Sequence, residues 1–403
     1  MSNNVVKVEH NAHRFPCKVL KGFDVVIKNY YVKEQKPPVK REGGGWFSLF
    51  SNKENTVNAN APQMEQDVST RLIVKRDKPV DADRVLAASS WPEGTQKYSA
   101  VVIEPSRGEE TETARRDPLR WLADNATDQS LIRCNPKSTC VDMTCEGDPS
   151  YLGAPYLRLM LSGILFLPES LPSWRVAVLG VGGGSLPNFI QKYFSRKIGQ
   201  LDMVDIEPQM FKAAVQELGM TQSLNVEKSD CVRLFAMDAG DYILSDHPRP
   251  SSYEELTSNE KGTRVVFTNH PASEKKPLDL LFVDLFVGSE VSGHIGSSGF
   301  IADCRTALAS QGVVVFNLPD KNKIFVKQCE SIFGSCNVFT IPTPLSSNQI
   351  VVARRAQGTE TGLTGRAPQL THRQLYHRAK ELEQTYRLPY DLANHFPVWW
   401  RFW

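Results

Sequence analysis

Apolar and polar positions follow two regimes along the chain, and the change comes near residue 148. Before it, short runs alternate or cluster over a few residues. "KVLKGFDVVIKNYYVKE" (18–34) predicts two short strands, "TRLIVKRD" (70–77) another, and "KYSAVVIEP" (97–105) a fourth. "ADRVLAAS" reads as the start of a helix, and "LIRCNPKSTCVDMTCEGD" as a hairpin ending before 148. "PPVKREGGGWFSLFSNKENTVNANAPQMEQ" (37–66) is rich in Gly, Asn, Pro and charge, which predicts a flexible insertion. Residues 1–147 are therefore expected to form a smaller, mainly β N-terminal region.

From 148 the period lengthens. Leu157, Leu159, Met160, Leu161, Ile164 and Leu165 predict one long buried helix within "DPSYLGAPYLRLMLSGILFL" (148–167). Strand and helix patterns then alternate. "RVAVLGV" leads to "SLPNFIQKYF", "QLDMVDIE" to "PQMFKAAVQELG", and "VRLFAMD" to "AGDYILS". "LDLLFVDLF" leads to "GFIADCRTALAS", and "GVVVFNL" to "KNKIFVKQCESIF". This alternation predicts an α/β fold with a parallel sheet, which "NVFTIP" and "QIVVARR" would close as an antiparallel pair. Residues 247–277 are too long for an ordinary connection and read as a surface excursion. "THRQLYHRAKELEQTYR" (371–387) predicts a polar helix with a capping box from Thr371 to Gln374. The expected organisation is thus 1–147, then 148–356, then a C-terminal helix and aromatic tail over 357–403.

Composition narrows the function classes. A hydrophobic fraction of 41% over 403 residues suffices for a real core. The net charge of +2 lacks the basic excess of a general nucleic-acid binder, so nucleic acid is not an expected partner. No run of about 18 apolar residues exists, and no membrane partner is expected. The start, "MSNNVVKVEHNAHRFPCK", has neither an apolar signal core nor an arginine run. A cytoplasmic protein is the expectation, with mitochondrial import left open. The cysteines number 8 and include no CxxC pair; Cys134, Cys140 and Cys145 form the one cluster, more widely spaced than usual zinc ligands. Reduced thiols and no metal site are expected.

The candidate chemistry begins at "VLGVGGGSLP", where a strand pattern meets glycines and then a helix pattern. Gly180, Gly182 and Gly184 let a chain turn sharply and let a ligand approach backbone. Asp205, in "VDIEP", ends the next strand and can accept both ribose hydroxyls of an adenosine. Glu207 can assist, or can cap the helix opened by Pro208. Asp238, in "MDAGDYI", can accept from an adenine amino group, or can cap its own helix. No P-loop Lys-Ser/Thr is present, and the glycine spacing departs from the dinucleotide pattern G-x-G-x-x-G. Acids at two successive strand ends suit a cofactor with a positive sulfonium and no phosphate, S-adenosylmethionine, better than NAD.

These segments, with "LDLLFVDLF", "GVVVFNL" and "NQIVV", resemble the Class I (Rossmann-like) methyltransferases of the spermidine-synthase-like group. Within it they are most similar to the methyltransferase-like branch that modifies amines of translation elongation factor 1A. The resemblance covers about residues 148–354 and implies a seven-stranded sheet and S-adenosylmethionine as cofactor. It also implies that Asp284, ending the fourth strand, stands beside the transferred group and orients or deprotonates the amine. Polyamine synthases carry a second acid three residues on; here that position is Val287. Phe286 and Gly288 also depart from the elongation-factor branch. The resemblance therefore implies a methyltransferase acting on a protein N-terminus or lysine. A catalytically inactive scaffold and a polyamine aminopropyltransferase are the alternatives. Tyr151 either covers the pocket or packs in the core. Trp399, Trp400, Phe402 and Trp403 read as a plug folded onto the domain or as a docking peptide for a partner.

Overall fold

A computed structural model describes residues 5–19, 22–33, 95–106, 127–135, 145–220, 231–246, 277–285, 295–318, 320–343, 347–356 and 370–396. The expected elements within 37–94, the 247–276 excursion, the loop at 286–294 and the aromatic tail from 397 lie outside the described residues.

Among the described residues a seven-stranded sheet runs in the order β10-β11-β9-β8-β5-β6-β7. Its strands are β5 (Trp174–Leu179), β6 (Ile198–Asp205), β7 (Val232–Ala236), β8 (Leu278–Val283), β9 (Leu308–Leu318), β10 (Val338–Pro342) and β11 (Gln349–Arg354). β7, β6, β5, β8 and β9 pair in parallel, as the alternating pattern predicts. β11 pairs antiparallel with both β9 and β10, which is the expected closing pair.

The strands are apolar on both faces because both are covered. Val176, Val178, Leu280 and Phe282 enter one core, whereas Ala177, Leu179, Leu281 and Val283 enter the other. The first core takes residues of α1 (Pro155–Met160), α2 (Ser185–Phe194), α3 (Pro208–Gln216) and α7 (His372–Tyr386). The second takes residues of α4 (Ala239–Leu244), α5 (Ser298–Ala307) and α6 (Lys323–Phe333). The Thr371–Gln374 capping box of α7 is formed. That helix is not a detached appendage. Leu375 and Ala379 are buried in the first core, together with Tyr390, Leu392 and Phe396.

The expected long helix over 148–167 is shorter. Pro155 sits in the first turn of α1, and after Met160 the chain tightens into a 3-10 helix, Leu161–Phe166. The tighter turn lays Gly163 against β9, where a side chain at 163 would run into Val315.

The N-terminal sheet has four antiparallel strands in the order β1-β2-β3-β4. They are β1 (Val5–Pro16), β2 (Phe23–Lys33), β3 (Thr95–Pro105) and β4 (Thr127–Arg133). Two corrections to the sequence reading arise here. Residues 23–33 form one strand, not part of two, because the polar residues in its middle find partners on β3. Lys28 pairs with Glu104, and Ser99 donates to the buried Asn29 at 2.5 Å. β1, whose pattern is polar and irregular, was not foreseen; its pairing with β2 shifts register twice.

The cysteine expectation is also corrected. Cys134 and Cys145 form a disulfide with Cα atoms 5.3 Å apart, both buried. An antiparallel bridge of Cys134 with Gly147 brings the two segments together, as the hairpin reading of this stretch implies. Cys140 lies outside the described residues.

Candidate active site at the carboxyl edge of the sheet

Strand order fixes where a ligand can enter. From β5 the chain moves outward through β6 and β7, then returns to the other side of β5 to lay down β8 and β9. The connections after β5 and β8 therefore diverge and leave a crevice at their carboxyl ends. The glycine-rich loop follows β5, and Asp284 follows β8. The N–H of Asp284 donates to the Leu179 carbonyl at 2.8 Å, so the two strand ends meet directly.

In the loop, Gly180, Gly182 and Gly184 have φ of 85°, 53° and 82°. A Cβ at Gly180 would collide with the carbonyl oxygen of Asp284. Gly183 is the tightest point from above: a Cβ there would lie 3.0 Å from Ile132 and 3.1 Å from both Ser130 and Val101. The N-terminal sheet thus roofs the loop.

The loop amides are all committed to the protein itself. Gly180 N–H donates to the Val204 carbonyl at 2.8 Å. Val181 and Gly182 donate to Asp205 Oδ2 at 3.0 and 3.4 Å, Gly183 donates to Ser130 Oγ at 2.8 Å, and Gly184 donates to the Val181 carbonyl at 3.0 Å. A pyrophosphate needs such amides turned toward it; this loop spends them on a carboxylate, a hydroxyl and two carbonyls.

The predicted acids sit side by side along the sheet edge. Asp205 ends β6 and also accepts from the Glu207 N–H at 3.0 Å. Burial raises its pKa, opposed by the hydrogen bonds from Val181, Glu207 and Gly182. Asp238 follows β7, where Met237 N–H donates to the Asp205 carbonyl at 3.1 Å. Its Oδ1 caps α4, accepting from Gly240 at 2.7 Å and Asp241 at 3.3 Å. Ile206, exposed, and Met237, half-buried, flank these acids and supply apolar surface.

Glu207 has the capping role that the sequence left as its alternative. It is buried and accepts from the Gln209 N–H at 3.1 Å. It also accepts from the Lys18 and Val19 N–H groups, at 3.1 and 2.9 Å, and so latches the turn between β1 and β2 beside Asp205. Replacing Glu207 by Ala would leave these donors unpaired, at a cost of about 1–3 kcal/mol. Faster amide hydrogen exchange at Lys18 and Val19 in that variant is the expected readout; unchanged exchange there would refute the latch.

Asp284 is the most perturbed acid of the edge. Withdrawal from water pushes its pKa up to about 6, against hydrogen bonds from Asn317 and Tyr156. Asn317 Nδ2 donates to Oδ1 at 2.8 Å. The Tyr156 hydroxyl, on α1, also donates to the carboxylate, and burial first and Asp284 second push its pKa well above 10. Tyr156 is therefore the tyrosine of this segment that is placed against the Asp284 carboxylate. Tyr151 is a core residue, edge-on to Tyr98 at 5.7 Å between centroids. Tyr156 and Asn317 were not singled out in the sequence. Asn317 had a signal: it is the one strongly polar residue in "VVVFNL", and a buried amide requires a partner.

No family model matches the chain. A polyamine aminopropyltransferase of Vibrio vulnificus is 26% identical over 216 residues, covering 52% of this chain and 60% of that enzyme. The human eEF1A lysine and N-terminal methyltransferase is 36% identical over 102 residues, covering 24% of this chain and 13% of that protein. The chain thus spans less than two thirds of the length of either relative. Among solved structures, human methyltransferase-like protein 13 in complex with SAH is 21% identical with a TM-score of 0.40, covering 59% of this chain and 94% of that one. In this chain the parallel strands end at β9, and antiparallel β11 is inserted between β9 and the edge strand β10. The sheet order, with its inserted antiparallel β11, is that of the Class I, Rossmann-like methyltransferase fold. In this fold the glycine loop, Asp205, Asp238 and Asp284 share the carboxyl edge of the sheet, and the N-terminal four-stranded sheet packs over the glycine loop.

Proposed function

We propose that the protein is an S-adenosylmethionine-dependent methyltransferase acting on a protein amine, an N-terminus or a lysine, with translation elongation factor 1A as the first substrate to test. The observation that carries the reading is Asp284, a carboxylate at the switch point whose pKa is pushed up to about 6 by burial. Such a group is ionised at neutral pH yet basic enough to orient an ammonium and help it lose a proton.

The donor set fits the cofactor. Three carboxylates favour hydroxyls, an amino group and a cationic sulfur, and the glycine-loop amides are already used. We assign Gly180, Gly182 and Gly184 to the cofactor loop, Asp205 to the ribose hydroxyls and Asp238 to the adenine amino group. Glu207 we assign to holding the N-terminal turn. Bound there, S-adenosylmethionine supplies a methyl group on a sulfonium that leaves readily. Against that methyl group, Asp284 would orient the attacking amine and take the proton it gives up, or pass it to solvent. Tyr156 and Asn317 hold the carboxylate in place for this.

Aminopropyl transfer to a polyamine is the second reading. It is favoured by the longer span of the Vibrio match, 52% of the chain against 24% for the human methyltransferase. Val287, where polyamine synthases have an acid, counts against it. Transfer assays separate the two: label from S-adenosylmethionine into a protein amine, or aminopropyl transfer from the decarboxylated cofactor to putrescine. Calorimetry comes first. Wild type is expected to bind S-adenosylmethionine, and Asp205→Ala to bind about 10–100-fold more weakly, the loss of charge-assisted bonds to two hydroxyls. No heat from wild type would refute the enzyme reading and favour a scaffold.

A further inference from the structure

Asp284 is held by more than one neighbour, and the neighbours form a chain. Asn317, on β9, is buried and donates Nδ2 to Asp284 Oδ1 at 2.8 Å. Its own Oδ1 accepts from Asn348 Nδ2 at 3.0 Å. Asn348 lies in the turn between β10 and β11, where its carbonyl accepts from the Thr343 N–H at 3.0 Å. The polarity of this chain follows from one end. An ionised carboxylate only accepts, so Asn317 must turn its NH2 to Asp284, which turns its oxygen to Asn348, which must then present its own NH2.

From this geometry we infer that Asn317 and Asn348 are positioning residues, a one-directional amide relay that fixes the orientation of the Asp284 carboxylate and favours its charged form. The inference rests on the reading of Asp284 as the amine-facing group. Asn317 acts on Asp284 directly, and Asn348 acts only through Asn317. Without Asn348, the Asn317 amide is free to rotate and offer its oxygen to the carboxylate, which opposes ionisation. Around Asp284, α1 contributes the titratable Tyr156, β9 the neutral Asn317, and β5 the backbone of Gly180. Tyr156 stays protonated across the working range, because its pKa is raised well above 10. A change in the titration of Asp284 therefore reports on the relay.

The test is a carboxyl-carbon NMR titration of the full-length protein labelled at aspartate, with Asp284→Asn to assign the signal. Removing a hydrogen bond to a carboxylate raises its pKa, so Asn317→Leu is expected to move the Asp284 midpoint upward by about one unit. Asn348→Ala should move it in the same direction by less. In the double variant Asn348→Ala should add nothing to Asn317→Leu. Should Asn317→Leu not fold, Asn348→Ala, which alters a half-buried turn residue, carries the test alone. An unmoved midpoint in Asn348→Ala, or additive shifts in the double variant, overturns the relay. The titration needs no substrate. The shift without any group transfer overturns the transferase reading and leaves the relay standing; transfer without the shift overturns the relay. Where transfer is measured, the acid limb of kcat/KM should move with the NMR midpoint.

Discussion

Asp284→Asn is expected to lower kcat by about 10²–10⁴, the usual contribution of a positioned general base, while S-adenosylmethionine still binds. Asparagine keeps the shape of the side chain, and its oxygen can still accept from Asn317. On the proposed reading, what it loses is the charge that orients an ammonium and the basicity that takes its proton. The wild-type acid limb should lie near pH 6, where Asp284 ionises, and should disappear from the residual rate of the variant. Stopped-flow or radiolabel kinetics across pH 5 to 9, with calorimetry on the same samples, check both parts. A variant with wild-type turnover would remove Asp284 from the chemistry. A variant that no longer binds cofactor would place it in the cofactor site instead.

The same residue makes a prediction about stability, with a definite sign. Its native pKa, about 6, lies above the value of 3.8 of a solvated carboxyl, which it regains on unfolding. A carboxylate raised in the native state contributes most to stability below pH 3.8, loses that contribution as pH rises toward 6, and costs a constant amount above. Asp284→Asn should therefore unfold at higher denaturant than wild type at pH 8, and the gain should shrink as pH falls through that window. Greater stability with lost turnover is the pattern of a group kept for function.

Much of the fold was legible in the sequence because the parallel strands are buried on both faces and so are nearly continuous apolar runs. In the closing pair, β11 is a buried apolar run of the same kind, whereas the edge strand β10 is largely half-exposed and was legible from its short apolar and β-branched pattern. The N-terminal sheet was harder. In β2 the polar Lys28 and Asn29 look like a break, and only the neighbouring strand reveals Glu104 and Ser99 as their partners. The site divides similarly. Gly180, Asp205 and Asp284 lie where strands end, which a one-dimensional pattern can mark. Tyr156 and Asn348 reach the site across the fold, from a helix and from a turn, and no local pattern marks them. Glu207 was legible as one of two alternatives. Its choice depended on Lys18 and Val19, almost two hundred residues away in the chain.

The second large effect is expected at Gly180, where stability and chemistry are joined in one backbone contact. With φ at 85°, Gly180 is in a conformation that side chains disfavour by about 1–2 kcal/mol. Any Cβ there must also displace the Asp284 backbone, whose carbonyl carbon would lie 2.8 Å away. That neighbour is main chain at the end of a buried strand and cannot swing aside as a flexible side chain could. Gly180→Ala is expected to destabilise the protein by about 3–5 kcal/mol, at the upper end for single substitutions. Because yielding moves Asp284 itself, surviving folded protein should also lose turnover. Gly299→Ala is the matching control: near the start of α5, its Cβ would meet, among the described residues, only Ser297 Oγ at an ordinary 3.7 Å. There alanine should be neutral or stabilising by up to about 1 kcal/mol, through helix propensity. Urea denaturation of the two variants separates a general intolerance of alanine from the specific contact. If Gly180→Ala were as stable and as active as Gly299→Ala, the close approach of the glycine loop to Asp284 would not exist, and the site built on it would have to be redrawn.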